Sequence, residues 1–349
     1  MADAYVSIYS QPDPGKGIAG FDLASPNDRG FAFDYDHSGN LDHMVFFRPG
    51  SGMISIIKRS GDTFSTVFHS DVGLPFFDLS SPADLGLAFD FDHSGKNDYL
   101  VFYRPGSRMI TVLKNQAPNF TAVFASTSGI GGYDLASPSD LVIAYDYNHR
   151  GNLDYLTLYR PGNGIIWILE NHNGNFNHVL NSDSGIGGYD LQSPLDRVYA
   201  LDLDSSGRKD YLALYRAGAG IYFILRNNGG NNFTQVYAQP GAGIGGYDLL
   251  SPLDTSLAYD YEATGKLDHI VLYRPGNGMI WIIKKISSGP KDDFAAVLSE
   301  GDPGVGIGDY DLRSPTDLVF AFDADSKGIL QDLVLYRPGT GKISVLTKK

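Results

Sequence analysis

The stretch FDYDHSGNLD, residues 33–42, spaces its oxygen-bearing side chains as D-x-D-x-S-G-x-x-D. Asp34, Asp36 and Ser38 put an oxygen at every second position, Gly39 allows a sharp bend, and Asp42 closes the set. Hard cations such as Ca2+ are held by oxygen ligands arranged in this way. Versions of the stretch recur at 89–98, 145–154, 201–210, 259–268 and 322–331. The ligand set is complete in the second copy (Asp90, Asp92, Ser94, Asp98) and the fourth (Asp202, Asp204, Ser206, Asp210). The fifth keeps Asp260 and Asp268 but substitutes Glu262 and Thr264. The third keeps Asp146, Asn148 and Asp154 but has Arg150 where a ligand is expected. The sixth has Asp323 and Asp325, then Lys327, with Gln331 at the closing position and Asp332 one place out of register. An Asx-type turn uses the same residue types without an ion. Recurrence of the full set favours calcium over that reading, with the weakest cases in copies three and six.

A second pattern differs from copy to copy. GIGGYDL is complete only at the stretches ending in Leu135, Leu191 and Leu249, before copies three, four and five. The same copies carry Trp167, Phe223 and Trp281 at a position that is Ser55, Thr111 or Ser344 elsewhere. Paired glycines let a ligand approach the backbone, and an aromatic face offers stacking surface to a sugar ring. The alternative is that these aromatics only fill wider gaps in the fold.

Two features are common to all six copies. One is the anchor aromatic-Asp-Leu-x-Ser-Pro-x-Asp, beginning at Phe21, Phe77, Tyr133, Tyr189, Tyr247 and Tyr310. The other is an arginine, at Arg48, Arg104, Arg160, Arg216, Arg274 and Arg337. Features present in every copy read as framework, with the arginine pairing an anchor aspartate. The other reading is a rim that hydrogen-bonds sugar hydroxyls. The candidate carbohydrate-binding set is therefore Tyr133, Arg160, Trp167, Tyr189, Arg216, Phe223, Tyr247, Arg274 and Trp281.

These residues need elements to hold them. The anchors are 56, 56, 56, 58 and 63 residues apart, the longer intervals containing NNGGNN and SSGPKDD. In the third copy LVIAYDY, LDYLTLYR, IIWILEN and FNHVLNS read as four strands joined by the turns NHRGN, PGNG and HNGN. PGNG places a proline at preset φ beside glycines that accept positive φ. No segment shows helical periodicity. Four antiparallel strands per repeat predict an all-β, six-bladed β-propeller. The sixth copy ends after its third strand, KISVLTKK, and YVSIYSQPDPGKGIAG precedes the first anchor. The N-terminal strand is thus expected to complete the last blade, closing the ring and removing exposed sheet edges.

Composition narrows the partners. The chain of 349 residues carries a net charge of −13, with 42% hydrophobic residues and no cysteine. Without a basic run there is no electrostatic footprint for nucleic acid. No apolar run reaches membrane-spanning length, so no membrane insertion is expected. Thiolate chemistry and disulfides are excluded. Only three acidic residues are glutamate, Glu170, Glu262 and Glu300, and aspartate is the carboxylate of turns and metal loops. The N-terminus lacks a signal-peptide pattern, which favours cytoplasmic synthesis without excluding a secreted mature form. Self-association into a homo-oligomer stays open.

The Asp-rich loop between the first two strands of a blade resembles the FG-GAP calcium repeats of integrin-type propellers. The whole chain, with its YDLxSPxD, DYLxLYRPGxG and GIGGYDL units, resembles the oyster mushroom lectin family of fungal propeller lectins. The resemblance implies a calcium-containing, multivalent lectin for galactose and N-acetylgalactosamine, with calcium on the aspartates named above. It does not place the sugar site. Catalysis is not expected, because the aspartates form a repeated lattice in which no unique, differently tuned carboxylate pair stands out. A propeller glycosidase or lyase, and a protein-binding scaffold, are the alternatives.

Overall fold

The computed structural model describes residues 4–286 and 293–349, so most of the SSGPKDD insertion lies outside the described residues. Blade 1 comprises β2 (Arg29–Phe33), β3 (His43–Arg48), β4 (Met53–Ser60) and β5 (Thr63–Ser70). Blade 2 is β6 (Leu85–Phe89), β7 (Tyr99–Arg104), β8 (Met109–Gln116) and β9 (Asn119–Ser126). Blade 3 is β10 (Leu141–Tyr145), β11 (Tyr155–Arg160), β12 (Ile165–His172) and β13 (Asn175–Ser182). Blade 4 is β14 (Asp196–Leu201), β15 (Tyr211–Arg216), β16 (Ile221–Asn227) and β17 (Phe233–Pro240). Blade 5 is β18 (Thr255–Tyr259), β19 (His269–Arg274), β20 (Met279–Lys285) and β21 (Phe294–Ser299). Blade 6 contains β22 (Leu318–Phe322), β23 (Asp332–Arg337) and β24 (Lys342–Lys348), and β1 (Tyr5–Gln11) is its outer strand. The expected six-bladed all-β propeller is therefore observed. β1 runs antiparallel to β24 from Tyr5↔Lys348 to Gln11↔Ile343 and closes the ring.

Strand composition follows position in the blade. The second strands are covered on both faces by neighbouring blades and read as near-continuous apolar runs, such as HMVFFR and YLVFYR. The outer strand faces solvent and mixes exposed with half-buried residues, as in TFSTVFHS. Six apolar clusters result, each built from two adjacent blades. A one-residue bulge interrupts the pairing of the third and outer strands in each blade.

Backbone hydrogen bonds join the blades on both faces. On one face the first aspartate of each Asp-rich loop donates its N–H to the next loop, from Asp34 to the carbonyl of Asn97 (3.3 Å) around to Asp323 and Leu41 (3.3 Å). On the other face the turn between the second and third strands binds the following anchor, as Gly50 and Gly52 N–H do with the carbonyl of Leu79 (2.8 and 3.2 Å). The anchors and the Asp-rich loops thus lie on opposite faces.

Candidate functional sites

On the anchor face, each arginine forks onto the last aspartate of its anchor. Arg160 Nε donates to Asp140 Oδ1 (2.7 Å) and Nη2 to Asp140 Oδ2 (2.9 Å). Asp140 is fully buried and also accepts the Ser137 N–H (2.9 Å) and the Tyr133 hydroxyl (2.7 Å). Arg216 repeats the fork with Asp196, and Arg274 with Asp254. The guanidinium lies over the anchor ring in all six blades, 5.4–5.8 Å from its centroid. Burial and the neighbouring aspartate push the Tyr133, Tyr189 and Tyr247 hydroxyls well above their usual pKa. The Ala136 N–H and Arg160 hold the exposed anchor carboxyl of Asp134 low. These tyrosines and arginines are framework first. Among the described residues, the second Nη of Arg160 and of Arg216 has no protein partner, while that of Arg274 donates to Asp302 (2.9 Å).

Trp167, Phe223 and Trp281 stand beside these forks, half-buried and edge-on to Tyr133, Tyr189 and Tyr247, with centroids 5.8, 5.2 and 5.9 Å apart. The glycine pair has a different use from the one its sequence suggests. A Cβ on Gly132 or Gly246 would sit 3.2 Å from Cζ3 of Trp167 or Trp281, so the glycine makes room for the indole. In blade 4, with the smaller Phe223, a cavity of about 100 Å3 remains among Gly188, Tyr189, Asp190, Arg216, Phe223 and Pro240. The other blades fill this place differently. Blade 2 pairs Thr111 with Phe76, a residue 73% exposed and at φ +63. Blade 6 pairs Ser344 with Asp309, which accepts a hydrogen bond from Ser7 (2.5 Å). Blade 1 pairs Ser55 with Gly20, and nothing lies within 4 Å of where a Gly20 Cβ would be.

On the opposite face, the first aspartate of every loop is buried and anchors its own turn. Asp34 accepts Ser38 N–H on Oδ1 (2.9 Å) and Gly39 N–H on Oδ2 (2.8 Å). The same pair of bonds recurs at Asp90, Asp146, Asp202, Asp260 and Asp323. The bonds use main-chain N–H groups, so Arg150 and Lys327 are accommodated in this turn as readily as serine. Burial raises the carboxyl pKa of Asp34, Asp146 and Asp202, and brings those of Asp90 and Asp323 to about 6.

The closing aspartate works between blades. Asp98, Asp154 and Asp210 each hold the Nδ1 of a histidine from the preceding loop, His37 (2.5 Å), His93 (2.7 Å) and His149 (2.7 Å). Asp268 instead takes Ser205 Oγ (2.6 Å) and His269 Nδ1 (2.6 Å). Among the described residues, the other oxygen of Asp98, Asp154 and Asp210, Oδ1, is buried with no hydrogen-bond partner, and so is Asn148 Oδ1. A buried carboxylate oxygen without a donor is costly, and a bound cation would relieve it. In blade 1 the ligand atoms of Asp36, Asp42 and His43 lie within 4.8 Å of one another, but the Lys58 ammonium bridges Asp36 and Asp42. Burial works against ionisation of Asp36, yet Lys58 and Ser38 bring its pKa down to about 2. Lys284 likewise engages Glu262 in blade 5 (2.6 Å). Asp204 accepts Ser206 N–H (3.2 Å), and Asp92 receives the Tyr99 hydroxyl (3.4 Å). The donor set thus fits a cation best in blades 2, 3 and 4. Sequence spacing missed Lys58, Lys284 and the three histidines, which act from a neighbouring strand or blade.

No family model matches the chain, and no curated protein matches it. Among solved structures, a lectin of Agrocybe aegerita described as recognising non-reducing terminal N-acetylglucosamine is similar over 92% of this chain and 79% of its own, with 17% identity and a TM-score of 0.53. The α-L-arabinanase of Penicillium chrysogenum is similar over 99% of this chain and 98% of its own, with 12% identity and a TM-score of 0.44. A 6-phosphogluconolactonase-like protein of Bacteroides uniformis is similar over 74% and 71%, with 12% identity and a TM-score of 0.42. These likenesses concern the fold. The expectation that catalysis is absent is corrected: the solved structures found similar include an arabinanase and a 6-phosphogluconolactonase-like protein beside the lectin, and a fold by itself does not exclude catalysis.

Proposed function

We propose that the chain is a calcium-binding, multivalent carbohydrate-binding propeller whose ligands are glycans ending in galactose or N-acetylgalactosamine. The observation that carries this reading is the triple recurrence, on one face, of a half-buried aromatic beside an arginine–aspartate fork. An aromatic flank and charged donors fit the apolar ring face and the hydroxyls of a sugar. Three weak sites on one rigid ring raise avidity through effective concentration. Calcium is assigned to the opposite face, held by the Asp-rich loops of blades 2, 3 and 4, where it would neutralise Asp98, Asp154 and Asp210. On that placement calcium stiffens the ring at a distance from the sugar.

A glycan array probed with and without chelator tests the reading. Binding to galactose-type termini that weakens on chelation is expected. Binding confined to terminal N-acetylglucosamine would overturn the galactose assignment. Capture of a protein partner indifferent to its glycans would overturn the carbohydrate reading.

A further inference from the structure

Ser55, in β4, has no aromatic in its place and faces the histidine opposite it on β5. Its Oγ lies 2.9 Å from His69 Nδ1, and His69 Nε2 lies 3.2 Å from Asp71 Oδ1. Ser55 and His69 are direct cross-strand partners. A hydroxyl hydrogen-bonded to an imidazole that has a carboxylate at ion-pair distance on its far side is the grouping that activates a serine nucleophile. With its proton on Nε2, on the side of Asp71, the imidazole leaves Nδ1 to accept from Ser55. Equivalent positions in the ring lack the relay. Trp167 and Trp281 replace the serine with an indole, Thr111 donates to the Phe76 carbonyl (3.3 Å), and Ser344 meets Ser10 Oγ (3.3 Å). The approach is also particular to blade 1. The region over Gly20 is open where an indole covers Gly132 and Gly246. Ser55 itself is 2% exposed, whereas His69 and Asp71 stand at the surface.

We propose that Ser55, His69 and Asp71 form an acyl-transfer centre acting on carboxylic esters, with the acyl group approaching over the uncovered Gly20. Ser55 Oγ bonds to the acyl carbon as its proton passes to His69 Nδ1. The carbon–oxygen bond to the alcohol then breaks, and His69 returns that proton to the departing alcohol. Water, deprotonated by His69 Nδ1, attacks the acyl-serine and releases the carboxylic acid, and the proton goes back to Ser55. Ser55 and His69 are the catalytic residues, and Asp71 is a positioning residue that fixes the imidazole tautomer. This centre is independent of the sugar sites on blades 3 to 5.

The test uses the full-length protein with a fluorophosphonate probe, read by intact mass and peptide mapping, alongside hydrolysis of p-nitrophenyl acetate. One label per chain is expected, on Ser55 and not on Ser344. His69→Gln, a change at a half-exposed residue that leaves the core intact, should slow labelling and hydrolysis by about 100-fold or more. Asp71→Asn should slow both and change the pH profile of hydrolysis. Ser55→Ala should abolish labelling. No label on Ser55 of the folded protein would overturn the proposal, as would labelling that His69→Gln leaves at the wild-type rate.

Discussion

Arg160 and Asp140 meet through two parallel hydrogen bonds, at 2.7 and 2.9 Å, with the carboxylate fully buried and the guanidinium lying over the Tyr133 ring. Removing one partner strands a buried charge, which costs far more than an exposed ion pair contributes. Arg160→Ala should lower unfolding free energy by about 3 kcal/mol, measured by denaturant titration. Arg160→Lys should recover only part of the loss, because an ammonium cannot span both oxygens. A loss no greater than that of an exposed pair would show that the fork is not a structural tie.

Gly132 and Gly20 have nearly the same backbone, φ +91 and +89, but only Gly132 has an indole beside it. Alanine at either should cost about 1–2 kcal/mol for the left-handed conformation. Gly132→Ala should cost more than Gly20→Ala and should displace Trp167. The two melting curves give the comparison, and near-UV circular dichroism reports the tryptophan.

Bound calcium should depend on the closing aspartates. Asp98→Asn, Asp154→Asn and Asp210→Asn should each reduce calcium stoichiometry in isothermal titration. Asp268→Asn, at a carboxylate already satisfied by Ser205 and His269, should leave it nearly unchanged. Saturating calcium should also raise the melting temperature, since a ligand at about 100 times its dissociation constant stabilises by about 2.7 kcal/mol. A flat melting temperature would remove calcium from the account.

The blade architecture and its closure were legible because they rest on local signals repeated six times. Alternation, PG turns and the missing last strand of the sixth copy all point to one ring. The division of labour inside the Asp-rich loop was not legible. Asx turns and cation loops use the same residues, and only the folded ring separates Asp34, which caps its own turn, from Asp98, which faces the preceding blade. His37 and Asp98 are 61 residues apart and meet only once blades 1 and 2 pack together. Ser55 and His69 were hidden by a bulge. The pairing shifts between Ile56 and Ile57, which puts His69 rather than Phe68 opposite Ser55, and hairpin counting alone would miss this.

Acid should loosen the anchor rim late. Hydrogen bonds from Arg104 and Ser80 hold the Asp78 carboxyl at about 2. Asp311 reaches about 2 as well: burial opposes this, and Lys342 and Arg337 outweigh it. A carboxyl depressed in the folded state contributes stability above its unfolded value, and that contribution is lost as pH falls toward the folded one. Melting temperature should therefore drop between about pH 4 and pH 2. The Asp78→Asn, Asp311→Asn double variant should show a shallower drop across that window. Parallel curves for the variant and wild type would contradict the assignment.

The central claim concerns the aromatics of blades 3 to 5, and one titration addresses it most directly. The Trp167→Ala, Phe223→Ala, Trp281→Ala variant is compared with wild type for binding to a surface bearing galactose-terminated glycans, after circular dichroism confirms the β-fold. The account predicts that avidity falls by roughly 100-fold or more as the three sites are lost together. Wild-type binding by a folded triple variant would contradict it.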